Sequence, residues 1–282
     1  MQSFCSAGNH VKEGVSMTMI DFNQIKGFIC DMDGVIYYGN ELLPGVREFI
    51  DWLYREDKAF LFLTNSSAKT PRELSQKLAY LGLDVSEDHF YTSALATARF
   101  LKQQSPECTV YPIGGVGLIN AIYAEGLAVD EVDPDYVVVG ESQSYTLDTV
   151  TQATNMVLNG AKLIGTNSDV SGPIEQGIMP GCGALVAPIE MATGKKAYFC
   201  GKPNPLMMRT GLRLLGCHSD EAVMVGDRMD TDVISGLESG MATALVLSGV
   251  TDRETIETFA YRPTAVLAGV GEIVTRAEAA KA

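Results

Sequence analysis

Positive charge is scarce in this chain. Its 282 residues hold 21 Lys and Arg against 35 Asp and Glu, a formal net charge of −14. A surface that acidic repels a phosphate backbone, which argues against nucleic acid as a partner. An anionic small molecule stays compatible, because a metal ion and one or two local cations invert the field at a single site. Histidine is scarcer still. The three, His10, His89 and His218, show no metal-ligand spacing, and without a G-x-S-x-G they supply no hydrolytic triad. No P-loop pattern occurs, and Gly114-Gly-Val-Gly117 does not fit the dinucleotide fingerprint, so kinase and dehydrogenase chemistry are disfavoured. The longest uncharged stretch, Cys108–Ala124, is broken by Pro112, Gly114-Gly115 and Asn120 and does not read as a membrane span. The opening segment lacks the apolar core of a signal peptide, and no membrane partner is expected. The six cysteines are scattered with no C-x-x-C, the pattern of reduced thiols in a cytoplasmic protein.

What the chain does have is alternation. Short apolar runs at Gly27–Cys30, Ala59–Leu63, Val110–Ile113, Tyr136–Val139, Lys162–Ile164, Ala197–Cys200, Ala222–Val225, Ala244–Leu247 and Thr264–Leu267 alternate with helical patterns. The helices expected are Val46–Glu56, Pro71–Leu81, Gly117–Glu125, Leu147–Asn159, Leu185–Thr193, Asn204–Leu215 and Thr231–Ser239. The second of these carries its own boundary signals: Thr70 as N-cap, Pro71 at the first position, Glu73 closing a capping box and Gly82 at the stop. Such alternation predicts an α/β fold, a Rossmann-like doubly wound parallel sheet with helical crossovers. Residues 1–18 show neither period and are expected to be a loose tail. The core is expected over 19–103 and 197–282, with a smaller α/β cap inserted at 104–196.

Four of the runs end on polar clusters: Asp31-Met32-Asp33-Gly34, Thr64-Asn65-Ser66, Gly201-Lys202-Pro203, and Gly226-Asp227 followed by Asp230 and Asp232. Taken alone, the aspartate and Thr-Asn-Ser clusters read as turns or helix caps and Lys202 as a solvated lysine. Together they fall where an open parallel sheet binds ligands, outside the carboxyl ends of its strands. Asp31 and Asp33 are two residues apart, so an extended segment turns both carboxylates to one side. They repel each other, and Asp227 in the same crevice adds to the repulsion. Mg²⁺, a hard cation that takes a few carboxylates and keeps room for phosphate oxygens, is the natural counter-ion. Lys202 is a compact positive charge suited to a phosphate. Thr64 and Asn65 offer a hydroxyl, an amide and backbone N–H groups to phosphoryl oxygens. The set looks built to hold a phosphoryl group.

These residues resemble motifs I to IV of the haloacid dehalogenase superfamily of phosphatases, from Phe28 to about Val274. Gly165-Thr-Asn-Ser-Asp169, Pro180–Leu185 and Tyr91–Thr97 look like the class IIA, NagD-like branch with a C2a cap, associated with nucleoside monophosphates such as UMP or GMP. The resemblance implies Asp31 as nucleophile forming an aspartyl-phosphate. Asp33 would protonate the leaving alcohol and then activate water. Thr64, Asn65 and Ser66 would bind the phosphoryl group, and Lys202 would bridge it to the nucleophile. Mg²⁺ would sit on the Asp31 and Asp227 carboxylates and the Asp33 carbonyl, with Asp232 orienting Lys202 or a metal-bound water. A large cap favours a small phosphorylated metabolite over a folded phosphoprotein. Asn167, Asp169 and the Pro180–Gly183 loop are the substrate-facing cap candidates. Arg228 stands between a substrate contact and an offset for the acids of its loop, and Asp230 is read as solvated or helix-capping. Pyridoxal phosphate, phosphoglycolate and sugar phosphates are the alternative esters. A receiver module also uses Asp, Mg²⁺, Thr and Lys, but the insert and Asp33 stand against it. The sequence does not choose between monomer and homodimer.

Overall fold

The computed structural model of the protein describes residues 20–174 and 177–281, so the expected tail at 1–18 lies outside the described residues. Two parallel sheets form. The six-stranded sheet runs Ala265–Leu267, Ala242–Val246, Ala222–Gly226, Gly27–Cys30, Ala59–Thr64, Phe90–Thr92 in spatial order. The chain winds outward in both directions from its middle, with Gly27–Cys30 pairing Ala222–Gly226 on one side and Ala59–Thr64 on the other. The doubly wound expectation therefore holds, and the strand order reverses between Gly27–Cys30 and Ala222–Gly226.

Period-two alternation puts both faces of this sheet to use. Phe28, Cys30, Phe60, Phe62, Val223 and Val225 pack on one face with Phe49 and Trp52 of the helix Val46–Arg55. Ile29, Leu61, Leu63 and Met224 pack on the other with Met207 and Met208 of the helix Pro205–Leu215. The capping box of the helix Pro71–Tyr80 forms as its sequence signals: Thr70 Oγ1 accepts from the Glu73 N–H, and Glu73 accepts from the Thr70 N–H.

The second sheet runs Tyr198–Phe199, Lys162–Gly165, Tyr136–Val139, Thr109–Ile113, Ala128–Val129. Val110, Tyr136, Val138 and Ile164 point to one of its faces, Val137, Val139 and Leu163 to the other. An antiparallel hairpin, Ser171–Ile174 with Gly177–Pro180, is attached to it. This differs from the cap expected over 104–196 in two places. Tyr198 and Phe199, assigned by sequence to the core, pair in parallel with Ile164 and Gly165 and so extend the cap sheet. The helix Ser93–Gln104 also serves both bodies: Ala96 is buried in the core cluster, while Ala94, Ala98 and Leu101 pack with cap residues. An apolar run shows that a strand is buried but not which sheet it joins. The expected helix over Thr231–Ser239 begins instead as a π-helical turn, Met229–Val233, before Ile234–Glu238. Single π turns recur at functional sites.

Candidate active site

The strand order reverses beside Asp31, whose N–H donates to the Val225 carbonyl at 2.8 Å. Asp31 and Asp227 therefore follow adjacent strands at the switch point, where open α/β sheets bind ligands. Gly34 shows why the Asp-x-Asp must be followed by glycine. Its φ is +77°, and a Cβ there would lie 2.5 Å from Asp227 Oδ2.

Lys202 is the centre of the site's electrostatics. Its buried Nζ lies 2.8 Å from Asp31 Oδ1, 2.7 Å from Asp232 Oδ1 and 3.2 Å from the Leu63 carbonyl. An ammonium has three protons, so all three are used. Burial alone would lower its pKa, but Asp232 and Asp31 outweigh that and hold it above the ordinary lysine value.

The carboxylates are less well balanced. Carboxylate oxygens of Asp31, Asp227 and Asp232 lie within 4.8 Å of one another. Burial raises the Asp31 carboxyl against the pull of Lys202. Burial, with Asp232 and Asp31 nearby, pushes Asp227 up to about 7. Asp232, with no exposed surface, is pushed up to about 6 for the same leading reason. Its oxygens are both engaged, Oδ1 by Lys202 and Oδ2 by the Arg228 N–H at 3.1 Å. Asp227 differs. Oδ2 accepts from the Val250 N–H at 2.7 Å, but Oδ1 is buried without a hydrogen-bond partner among the described residues. An orphaned carboxylate oxygen costs free energy unless something positive meets it. Three carboxylates around one ammonium leave an excess of negative charge, and this donor set fits a divalent cation on oxygen ligands.

Asp33 is exposed to solvent. The crevice walls still raise its carboxyl by desolvation, while Lys77 and Lys69 pull the other way. The Tyr37 hydroxyl points to Asp33 Oδ2 at 3.5 Å, and Lys77 Nζ sits 3.4 Å over the Tyr37 ring.

Thr64 ends its strand as expected, and its Oγ1 accepts from the Ser66 N–H at 3.1 Å, which leaves the hydroxyl proton to donate. Asn65 departs from expectation. Its Nδ2 donates to Asp169 Oδ2 and to the Lys202 carbonyl, both at 3.0 Å, and its Oδ1 accepts from the Lys202 N–H at 2.8 Å. The side chain is a strut between three segments, so of the groups expected to meet a phosphoryl oxygen the amide is already engaged. The Ser66 hydroxyl is likewise turned to the cap, donating to Glu141 Oε2 at 3.3 Å.

The cap candidates divide. Asn167 has no exposed surface, and its Nδ2 donates to the Asn65 carbonyl at 2.7 Å and to Glu141 Oε1 at 3.2 Å. It fastens cap to core rather than facing a substrate. Asp169 stays partly exposed at the mouth, 4.0 Å from an Arg228 nitrogen. Arg228 forks onto Asp230 at 3.0 and 2.8 Å, which holds the Asp230 carboxyl below its usual range. The Asp230 carboxylate thus belongs to an ion pair rather than to a helix cap. Sequence reasoning passed over Glu141 and Ser67, because no motif marks them and only the docking of cap on core brings them together. Tyr37 left no signal either.

A doubly wound sheet whose switch point gathers a carboxylate beside a buried lysine, with a cation-demanding acidic cluster and an inserted lid domain, defines a phosphoryl-transfer hydrolase. Comparison with known proteins agrees. Residues 28–128 match the family model described as haloacid dehalogenase-like hydrolase, and residues 199–273 match a HAD-hydrolase-like model. Dihydroxyacetone phosphatase of Corynebacterium glutamicum (strain R) is 44% identical over 246 residues, 87% of this chain and 90% of that protein. Ribonucleotide monophosphatase NagD of Escherichia coli (strain K12) is 40% identical over 249 residues, 88% of this chain and 98% of that protein. The solved structure of that NagD superposes with a TM-score of 0.84, covering 88% of this chain and 98% of its own. A 4-nitrophenylphosphatase structure from Thermotoga maritima, 33% identical, reaches 0.88 and covers 92% of this chain and 100% of its own. The chain belongs to the haloacid dehalogenase-like hydrolase family, and it is a phosphoric monoester hydrolase of the NagD-like branch. Among the described residues no helix is long and apolar enough to cross a membrane.

Proposed function

We propose that this phosphatase hydrolyses phosphate monoesters of small hydroxylated metabolites, with triose and sugar phosphates ahead of nucleoside monophosphates. One observation carries the chemistry: Lys202 bridges Asp31 and Asp232 in a buried pocket beside an Asp227 oxygen that no described residue satisfies. In this reading Asp31 Oδ attacks phosphorus, the P–O bond to the alcohol breaks, and Asp33 gives its proton to the departing oxygen. Asp33 then takes a proton from the water that attacks the aspartyl-phosphate, which releases phosphate and restores Asp31. Lys202 holds Asp31 in place and meets the phosphoryl charge, while the Thr64 hydroxyl and Asn65 N–H bind its oxygens. Asp31, Asp227 and the Asp33 carbonyl are the residues to hold Mg²⁺, which would neutralise the charge gathered there. Asp232 orients Lys202.

The leaving-group choice rests on the mouth. Asp169 is hydrogen-bonded to Asn65 and lies 4.0 Å from an Arg228 nitrogen, so the cap loop comes down directly beside the phosphoryl site and favours a short leaving group. The similarity to dihydroxyacetone phosphatase, and to an acid sugar phosphatase of Staphylococcus saprophyticus at 41% identity, supports the same order. The likeness to NagD supports the nucleotide reading favoured by the sequence motifs. Phosphate release from dihydroxyacetone phosphate, sugar phosphates, UMP, GMP, pyridoxal phosphate and phosphoglycolate, with Mg²⁺ or with EDTA, tests both levels. Activity on triose or sugar phosphates that EDTA abolishes is expected. A clear preference for UMP or GMP would overturn the leaving-group order, and activity indifferent to EDTA would remove the metal.

A further inference from the structure

Glu141 stands in the cap, two residues beyond the strand Tyr136–Val139, yet its carboxylate is engaged with the core. Oε2 accepts from the Ser67 N–H at 2.6 Å, from Ser67 Oγ at 3.0 Å and from Ser66 Oγ at 3.3 Å. Oε1 accepts from Asn167 Nδ2 at 3.2 Å. The Glu141 N–H donates back to Ser67 Oγ at 3.0 Å, so Ser67, which has no exposed surface, is tied to this one residue by backbone and side chain. The same Asn167 amide grips the Asn65 carbonyl at 2.7 Å. Cap residues therefore hold the segment Asn65–Ser67 at both ends. That segment directly follows Thr64.

We propose that Glu141 is a positioning residue for phosphoryl transfer: from the cap, through Ser67, it fixes the loop that aims the Thr64 hydroxyl and Asn65 N–H at the phosphoryl oxygens. The inference rests on the reading of Asp31 and Thr64 above. A carboxylate suits the place because it is acceptor-only, and both of its oxygens face donors. Glutamine cannot replace it without strain. Whichever way its amide turns, the NH₂ meets either the Ser67 N–H or the Asn167 amide, donor against donor. Freed on one side, the loop moves relative to the attacking carboxylate, and misplacements of about 1 Å cost about 10²-fold in rate.

The test is saturation kinetics of Glu141→Gln, Ser67→Ala and the double variant on p-nitrophenyl phosphate and on each metabolite ester turned over, with thermal unfolding of each protein and Asp31→Asn as control. The expected result is a kcat lowered about tenfold to a hundredfold, by the same factor for every ester, with little change in KM. The double variant should lose no more than the worse single, since both act through one contact. A wild-type kcat with only a lowered Tm would reduce Glu141 to a structural fastener and overturn the proposal. So would a loss confined to KM and differing between esters, which marks a leaving-group contact. Should Glu141→Gln not fold, Ser67→Ala alone decides between these outcomes. Full activity in Asp31→Asn would instead sink the covalent reading itself, which separates the two failures.

Discussion

Both parallel sheets turn the carboxyl ends of their strands toward one crevice, and they put different chemistry there. The core strands end on Asp31, Thr64 and Asp227, with Lys202 reaching in between. The cap strands end on Gly114-Gly115, Gly140-Glu141 and Thr166-Asn167, and of these Glu141 and Asn167 bind the core loop instead of facing an open site. Gly117 shows how close that joint is: its N–H donates to the Ala68 carbonyl, and a Cβ on it would lie 2.5 Å from the Ser67 carbonyl oxygen. One sheet end gathers the charged candidate site; the other is a joint in which the Glu141 carboxylate and the Asn167 amide grip the core loop. The same topology supports both because strand ends expose backbone groups that a loop can turn into either.

That contrast predicts how substitutions sort. The largest effect belongs to Asp31→Asn, which should lower kcat by at least about 10⁴-fold while thermal unfolding shifts by only a few degrees; a folded, active variant would erase the distinction between the two sheet ends. Next comes Lys202→Met. It strips the partner from two carboxylates, one fully buried, and should cost about 3–5 kcal/mol in urea unfolding as well as activity. If stability held, the charge balance drawn around Lys202 would be wrong. Gly117→Ala tests the other side. The new methyl meets Ser67 and Lys69 carbonyl oxygens at 2.5 and 2.6 Å, backbone atoms that cannot swing away. A loss of about 1–3 kcal/mol is expected, and an unchanged Tm would show that the joint is looser than described. Smallest is Thr70→Ala, which removes the cap of the helix that follows the joint and should cost about 1 kcal/mol. Its kcat should not change; a fall in kcat would extend the positioning role of the joint into this helix.

Much of this was open to the sequence. Asp31, Asp33, Thr64, Lys202, Asp227 and Asp232 could be picked out because each follows a strand or sits in a short loop after one, and strand ends are visible as apolar runs. The capping box at Thr70 and Glu73 is local, so four residues suffice to specify it. The strand Phe90–Thr92 and the helix Ser93–Gln104 were passed over. Three residues are too few to show a period, and the small alanines of that helix present no apolar stripe although they are buried.

What the sequence determined by itself was therefore the chemistry and its order along the chain: carboxylates, hydroxyl and lysine at the ends of alternating strands. Such patterns need only local periodicity. Only the tertiary structure decided which sheet Tyr198–Phe199 joins, that the Asn65 amide is a strut, and that Glu141 holds Ser67. These are contacts between segments far apart in the chain, 137 residues for Asn65 and Lys202. A hydrogen bond at that separation depends on how strands assemble and how cap meets core, and neither leaves a period in the sequence.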